Sequence, residues 1–121
     1  MAADMKAWKK VVEQVVAGIA DEALQRRAWF GLGPEESSPD EEFCQFFDDA
    51  AIEEFLDRGD TGLSEQQLEA GRHLTRLMRE LSDQTPEHIE PADLIDDPRW
   101  RKVREAAARF HTLLQTGNMA A

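Results

Sequence analysis

An all-α fold is the expectation, and three observations carry it. Apolar residues recur at steps of three and four along most of the chain. Val, Ile and Thr are scarce and Tyr is absent, so no strand pattern emerges. Ser and Asp stand where helices would open, followed by Pro or by Glu and Gln three residues on. The reading is a compact single-domain bundle of about five helices over residues 1–121, with the last few residues frayed.

The first helix is expected to open at Asp4 as N-cap and to bury Trp8, Val12, Val15, Val16 and Ile19. Asp21 caps a second helix carrying Leu24, Ala28 and Trp29, and Gly31 ends it in the left-handed conformation. Residues 31–38 form a loop. Ser38, Pro39 and Glu41 then make a capping box with a preset first turn. Phe43, Phe46, Phe47, Ala50, Ala51, Phe55 and Leu56 give the apolar side that follows. Asp48 or Asp49 could cap a fresh helix there, which leaves open one bent helix or two.

Ser64 and Gln67 make a second capping box, with Leu63 and Leu68 at staple spacing. The helix they open buries Ala70, Leu74, Leu77, Met78 and Leu81. Residues 82–97, with Pro86 and Pro91, read as one or two short turns that plug the core with Ile89, Leu94 and Ile95. Asp97 caps the last helix with Pro98 at its first position. Its stripe is Trp100, Val103, Ala107, Phe110 and Leu114, and Gly117 is expected to end it.

Charge is unevenly placed. Twenty-five acids against 14 Lys and Arg give a net −11, and residues 35–60 alone carry eleven acids against Arg58. Residues 83–97 hold six acids and no Lys or Arg, whereas Arg99, Arg101, Lys102, Arg104 and Arg109 face Glu105 alone. Such a field attracts cationic partners and repels nucleic acid and anionic lipid. No membrane partner is expected either, because the longest apolar run, Val15 to Ala20, is far short of a span. The start lacks a signal-peptide layout, and the single cysteine, Cys44, forbids an intrachain disulfide. These features read as cytoplasmic.

Catalytic chemistry finds no support. His73, His88 and His111 are isolated, without metal-ligand spacing to each other or to Cys44. Cys44 between phenylalanines reads as a small core residue rather than a nucleophile. Gly31-Leu32-Gly33-Pro34 is not a phosphate loop, since Pro34 removes an N–H. No enzyme, no cofactor and no metal are therefore expected. Arg72, Arg76 and Arg79 line one helix face, and pairing with the acidic stretches is preferred over nucleic-acid binding. Asp49, Glu53 and Asp57 stand at i, i+4 and i+8. Like charges so spaced destabilise a helix by about 0.2–0.5 kcal/mol per pair, which suggests a basic partner that neutralises them.

The stretch Ala28-Trp29-Phe30-Gly31-Leu32-Gly33-Pro34, with Ser37-Ser38-Pro39, Phe47-Asp48-Asp49 and Phe55-Leu56, resembles a pattern in small bacterial proteins of unassigned function. Some of these resemble immunity proteins of contact-dependent or secreted toxin systems. The resemblance covers residues 28–56 and implies a cytoplasmic protein that binds and blocks a toxin, often a basic nuclease.

The expected function is a small acidic inhibitor of a basic protein partner such as a toxin domain. Its candidate contacts are Glu35, Glu36, Asp40, Glu41, Asp48, Asp49, Glu53 and Asp57. The alternative is a helical adaptor or homodimeric subunit that uses apolar surface at Trp29, Phe30 and Leu32.

Overall fold

The computed structural model describes residues 2–85 and 88–119, and these form helices without a strand. The α-helices are α1 (Ala2–Ala20), α2 (Glu22–Ala28), α3 (Pro39–Cys44), α4 (Ile52–Asp57), α5 (Glu65–Gln84), α6 (Pro91–Leu94) and α7 (Pro98–Met119). A π turn, Gln45–Asp49, continues α3. The all-α class stands, and the expected five or so helices are matched roughly: seven α-helical segments occur among the described residues, and α3, α4 and α6 are short.

Helix α7 is the axis of the core and packs along both α5 and α1. It buries Trp100, Val103, Ala107, Phe110 and Leu114, the stripe that the periodicity marks. Trp29 and Phe43 lie against Trp100, with ring centroids 5.6 and 6.0 Å away. Gly71 lets α5 come close at this point. A Cβ there would stand 2.8 Å from Leu56 Cδ2 and 2.9 Å from Phe110 Cζ.

The helix ends follow the caps closely. Asp21 accepts from the Leu24 N–H and Ser38 from the Glu41 N–H. Ser64 and Gln67 form the full reciprocal box, and the Gln67 amide also donates to Leu113 O at 2.9 Å, tying α5 to α7. Asp97 accepts from the Arg99 N–H at 2.8 Å. Gly31 sits at φ 68° while the Leu32 N–H returns to Arg27 O at 2.9 Å, the bond of a Schellman turn.

Four local expectations are corrected. Helix α1 already runs from Ala2, so Asp4 lies in the first turn, where it faces the positive helix end instead of capping it. Neither Asp48 nor Asp49 caps a helix. The chain breaks at Ala51, which adopts φ 45° and ψ 52° and opens α4 with no side-chain cap. The Trp8 indole N–H donates to the neighbouring Ala50 O at 2.6 Å, serving a carbonyl exposed by the break. Cys44 is exposed rather than part of the core, because the buried helical face runs through Phe43 and Phe46. Finally, α7 continues through Gly117 to Met119. Fraying of the final two residues falls outside the described residues.

The turn from α1 into α2 is held by one side chain. Gln25 is 1% exposed. Its amide N–H groups donate to Gly18 O and Ile19 O at 2.9 and 2.8 Å, and its carbonyl accepts from Trp100 Nε1 at 3.0 Å. Two terminal carbonyls of α1 are thereby satisfied by a residue that also bonds α7.

Candidate partner-binding face

The predicted acids sit along one continuous stretch of chain, but not on one helix face. Glu35 and Glu36 lie in the loop before α3, and Asp40 and Glu41 in its first turn. Asp48 and Asp49 lie on the π turn, and Glu53 and Asp57 on α4. The break at Ala51 separates Asp49 from the other two, so the continuous i, i+4, i+8 ladder does not form.

Three of the eight acids have internal partners. Arg27 donates to Glu35 at 3.3 Å. Backbone hydrogen bonding and Arg27 together hold the Glu35 carboxyl below its ordinary value. Asp40 bonds His88 Nδ1 at 2.9 Å and accepts from the Ile89 N–H at 3.3 Å, which ties α3 to the segment before α6. Asp40 and then Glu90 raise the pKa of His88. Glu53 pairs with Arg79 of α5, whose guanidinium lies 4.1 Å from the Phe47 ring centroid.

The other five are available. Glu36, Glu41, Asp48, Asp49 and Asp57 make no ion pair with any described residue. All five are exposed. Glu54, also exposed, adds its charge on α4.

The arginine stripe of α5 serves the fold in part. Arg79 holds Glu53, and Arg72 reaches Leu56 O at 3.5 Å. Arg76 lies exposed between them, in a groove that Glu53, Asp57 and Glu80 also line. In the basic cluster of α7, Arg104 is 9% exposed and donates to Ile95 O at 3.0 Å. Arg99 is engaged by Asp97 and Gln84. No group of three or more His, Cys, Asp or Glu among the described residues has an arrangement able to hold a metal ion. No helix of the described residues is long and apolar enough to cross a membrane.

One group at the edge of this face escaped the sequence reading. Glu42 is 4% exposed, and its carboxyl faces Gly18 of α1. Ser37 Oγ donates to Glu42 Oε1 at 3.3 Å. Glu42 Oε2 and Trp29 Nε1 lack a well-formed hydrogen bond, although the indole lies close enough to favour the charged carboxylate somewhat. Burial dominates and pushes the carboxyl up to about 7, with the neighbouring Glu41 charge adding to the rise. A helical wheel through Pro39, Phe43 and Phe46 places Glu42 on the same inward face, which was the available signal.

Trp29 also departs from expectation. It is 6% exposed and belongs to the core, so it offers no docking surface. Phe30 and Leu32, beside it in sequence, are 43% and 75% exposed. A comparison with protein-family models, curated proteins and solved structures finds no match to this chain.

Proposed function

We propose that the chain is an acidic binding protein, an immunity-like inhibitor that neutralises a basic protein partner such as a nuclease toxin. The observation that carries this reading is the set of exposed carboxylates at Glu36, Glu41, Asp48, Asp49 and Asp57, which make no ion pair among the described residues. Internal arginines pair with Glu35 and Glu53, whereas no ion pair among the described residues engages these five. A net-negative surface speeds encounter with a cationic surface and disfavours anionic competitors. The carboxylates would stand in for the phosphates that a basic nuclease cleft normally receives. The proposed site of action is the cytoplasm, and the proposed role is binding without catalysis.

The second reading is a helical adaptor or homo-oligomeric subunit, which the exposure of Phe30 and Leu32 favours. Salt separates the two. The screening length falls from about 14 Å at 50 mM to about 4 Å at 500 mM. An acid-led complex weakens strongly over that range, whereas an apolar self-association persists. A variant with Asp48→Lys, Asp49→Lys and Asp57→Lys is expected to keep the fold, because no ion pair among the described residues involves the three exposed side chains. It loses the partner if the proposal is right. Unchanged partner affinity of a folded triple variant removes the acidic face from the account.

A further inference from the structure

We infer that the first turn of α3 is a pH-operated latch, closed while Glu42 and His88 are both protonated and released when both lose their protons. The inference adds regulation to the acidic face described above. The opening stands on the geometry of this chain alone, whereas its consequence for a partner rests on the acidic-binding reading.

The outer contact of the turn suits an imidazolium. His88 Nδ1 lies 2.9 Å from Asp40 Oδ2, and its Nε2 lies 3.0 Å from Glu90 Oε1. Both carboxylates need a donor, and only the protonated ring has two N–H groups. The neutral ring keeps one bond and turns a lone pair toward the other carboxylate. Asp40 also accepts from the Ile89 N–H at 3.3 Å, so this contact ties α3 to the segment before α6.

The inner contact suits a neutral acid. Glu42 is 4% exposed, and its Oε2 lacks a hydrogen-bond partner. Ser37 Oγ donates to Oε1 at 3.3 Å, while Trp29 Nε1 is poorly aligned to serve Oε2. A carboxylate in this position leaves an uncompensated oxygen out of water. No cation among the described residues bonds it. The facing residue of α1 is Gly18, and residues 14–20 carry no charge. Arg26 and Arg27 of α2 are engaged by Glu22, Asp96 and Glu35. Glu41, the charged neighbour on α3, opposes ionisation.

Both protons leave near neutrality, since burial pushes Glu42 up to about 7 and the two carboxylates hold His88 above 6.5. The closed form is therefore favoured by acid through both groups, and it loses that support as pH rises. Opening carries Glu42 into water and frees Asp40 from His88. The turn then presents Asp40, Glu41 and Glu42 beside Glu36, which enlarges the acidic face.

The test is amide hydrogen exchange of the isolated chain by NMR, corrected for intrinsic rates, with and without low urea. The reporters are the N–H groups of Glu41 and Glu42, which bond Ser38 Oγ and Ser38 O. Their opening should rise about tenfold between pH 6 and pH 8 through Glu42 alone, and further through His88. Urea should affect it less than the exchange of Leu74 and Met78 in α5, as expected for a local event. Glu42→Gln should remove most of the rise, and His88→Gln should increase opening at pH 6. Equal opening at the two pH values, the same rise in Glu42→Gln, no change in His88→Gln, or the full urea dependence of the α5 amides overturns the latch. No partner enters this experiment, so such a failure leaves the acidic-binding reading standing. Failure of that reading in partner capture leaves the latch standing.

Discussion

Replacing Glu42 with glutamine keeps the shape of the side chain and removes its ability to ionise. In the folded protein this carboxyl titrates at about 7, against an ordinary glutamate at 4.5, because burial penalises the charge. Below pH 4.5 the group is protonated in both folded and unfolded chains and costs nothing. As pH rises from there, the unfolded chain releases its proton first, so stability falls until the folded carboxyl has ionised as well, above about 7. At about 1.36 kcal/mol per pH unit, the gap between 4.5 and 7 corresponds to roughly 3 kcal/mol. That is a large part of the 5–15 kcal/mol of stability expected of a domain, roughly speaking. The difference between variant and parent isolates the contribution of this one carboxyl. Urea unfolding at pH 5 and pH 8 should show Glu42→Gln gaining about 2–3 kcal/mol relative to the parent as pH rises. Profiles that stay parallel, or a carboxyl pKa near 4.5 by NMR, would refute the burial argument.

Gly71→Ala forces a Cβ into Leu56 and Phe110 and should destabilise the protein by about 1–3 kcal/mol, read as a lower urea midpoint. Gln25→Leu leaves the Trp100 indole N–H and two α1 carbonyls without their bonds, and a loss of about 2–4 kcal/mol is expected by the same assay. Ala51→Gly relieves a left-handed backbone and should raise stability by up to about 1 kcal/mol, with a lower midpoint counting against the strain. The His88 ring should titrate above 6.5 by NMR, and Asp40→Asn should lower that value. Its small contribution to stability is present below pH 6.5 and is lost as pH rises through the raised folded pKa.

Local chemistry made much of this fold legible. Asp21, Ser38, Ser64 and Asp97 cap where short polar side chains followed by helix formers say they should, since the required partners are neighbours in sequence. The α7 stripe was legible for the same reason, as a strict helical period with one buried face. What escaped depends on distant residues. Residues 39–57 carry an apolar pattern compatible with one helix or two. The π turn and left-handed Ala51 between them are supported by Trp8, 42 positions upstream of Ala50. Gln25 looks like a surface residue until the α1 carbonyls and Trp100 converge on it. Of the acidic face, composition showed the charge. Only tertiary packing separates Glu53, held by Arg79, from Asp57 and Asp49, which no described residue pairs. Cys44 shows the opposite error, because a cysteine among phenylalanines still points outward when the helix turns about 100° per residue.

The central claim is that exposed carboxylates bind a basic protein. Its most direct test is affinity capture from the source organism, with the parent chain and the Asp48→Lys, Asp49→Lys, Asp57→Lys variant as parallel baits at about 50 mM and about 500 mM salt. The account predicts a stoichiometric, net-positive polypeptide that the parent retains at low salt and releases at high salt, and that the folded variant does not retain. A partner held equally by both baits, or held by the parent without regard to salt, would contradict it.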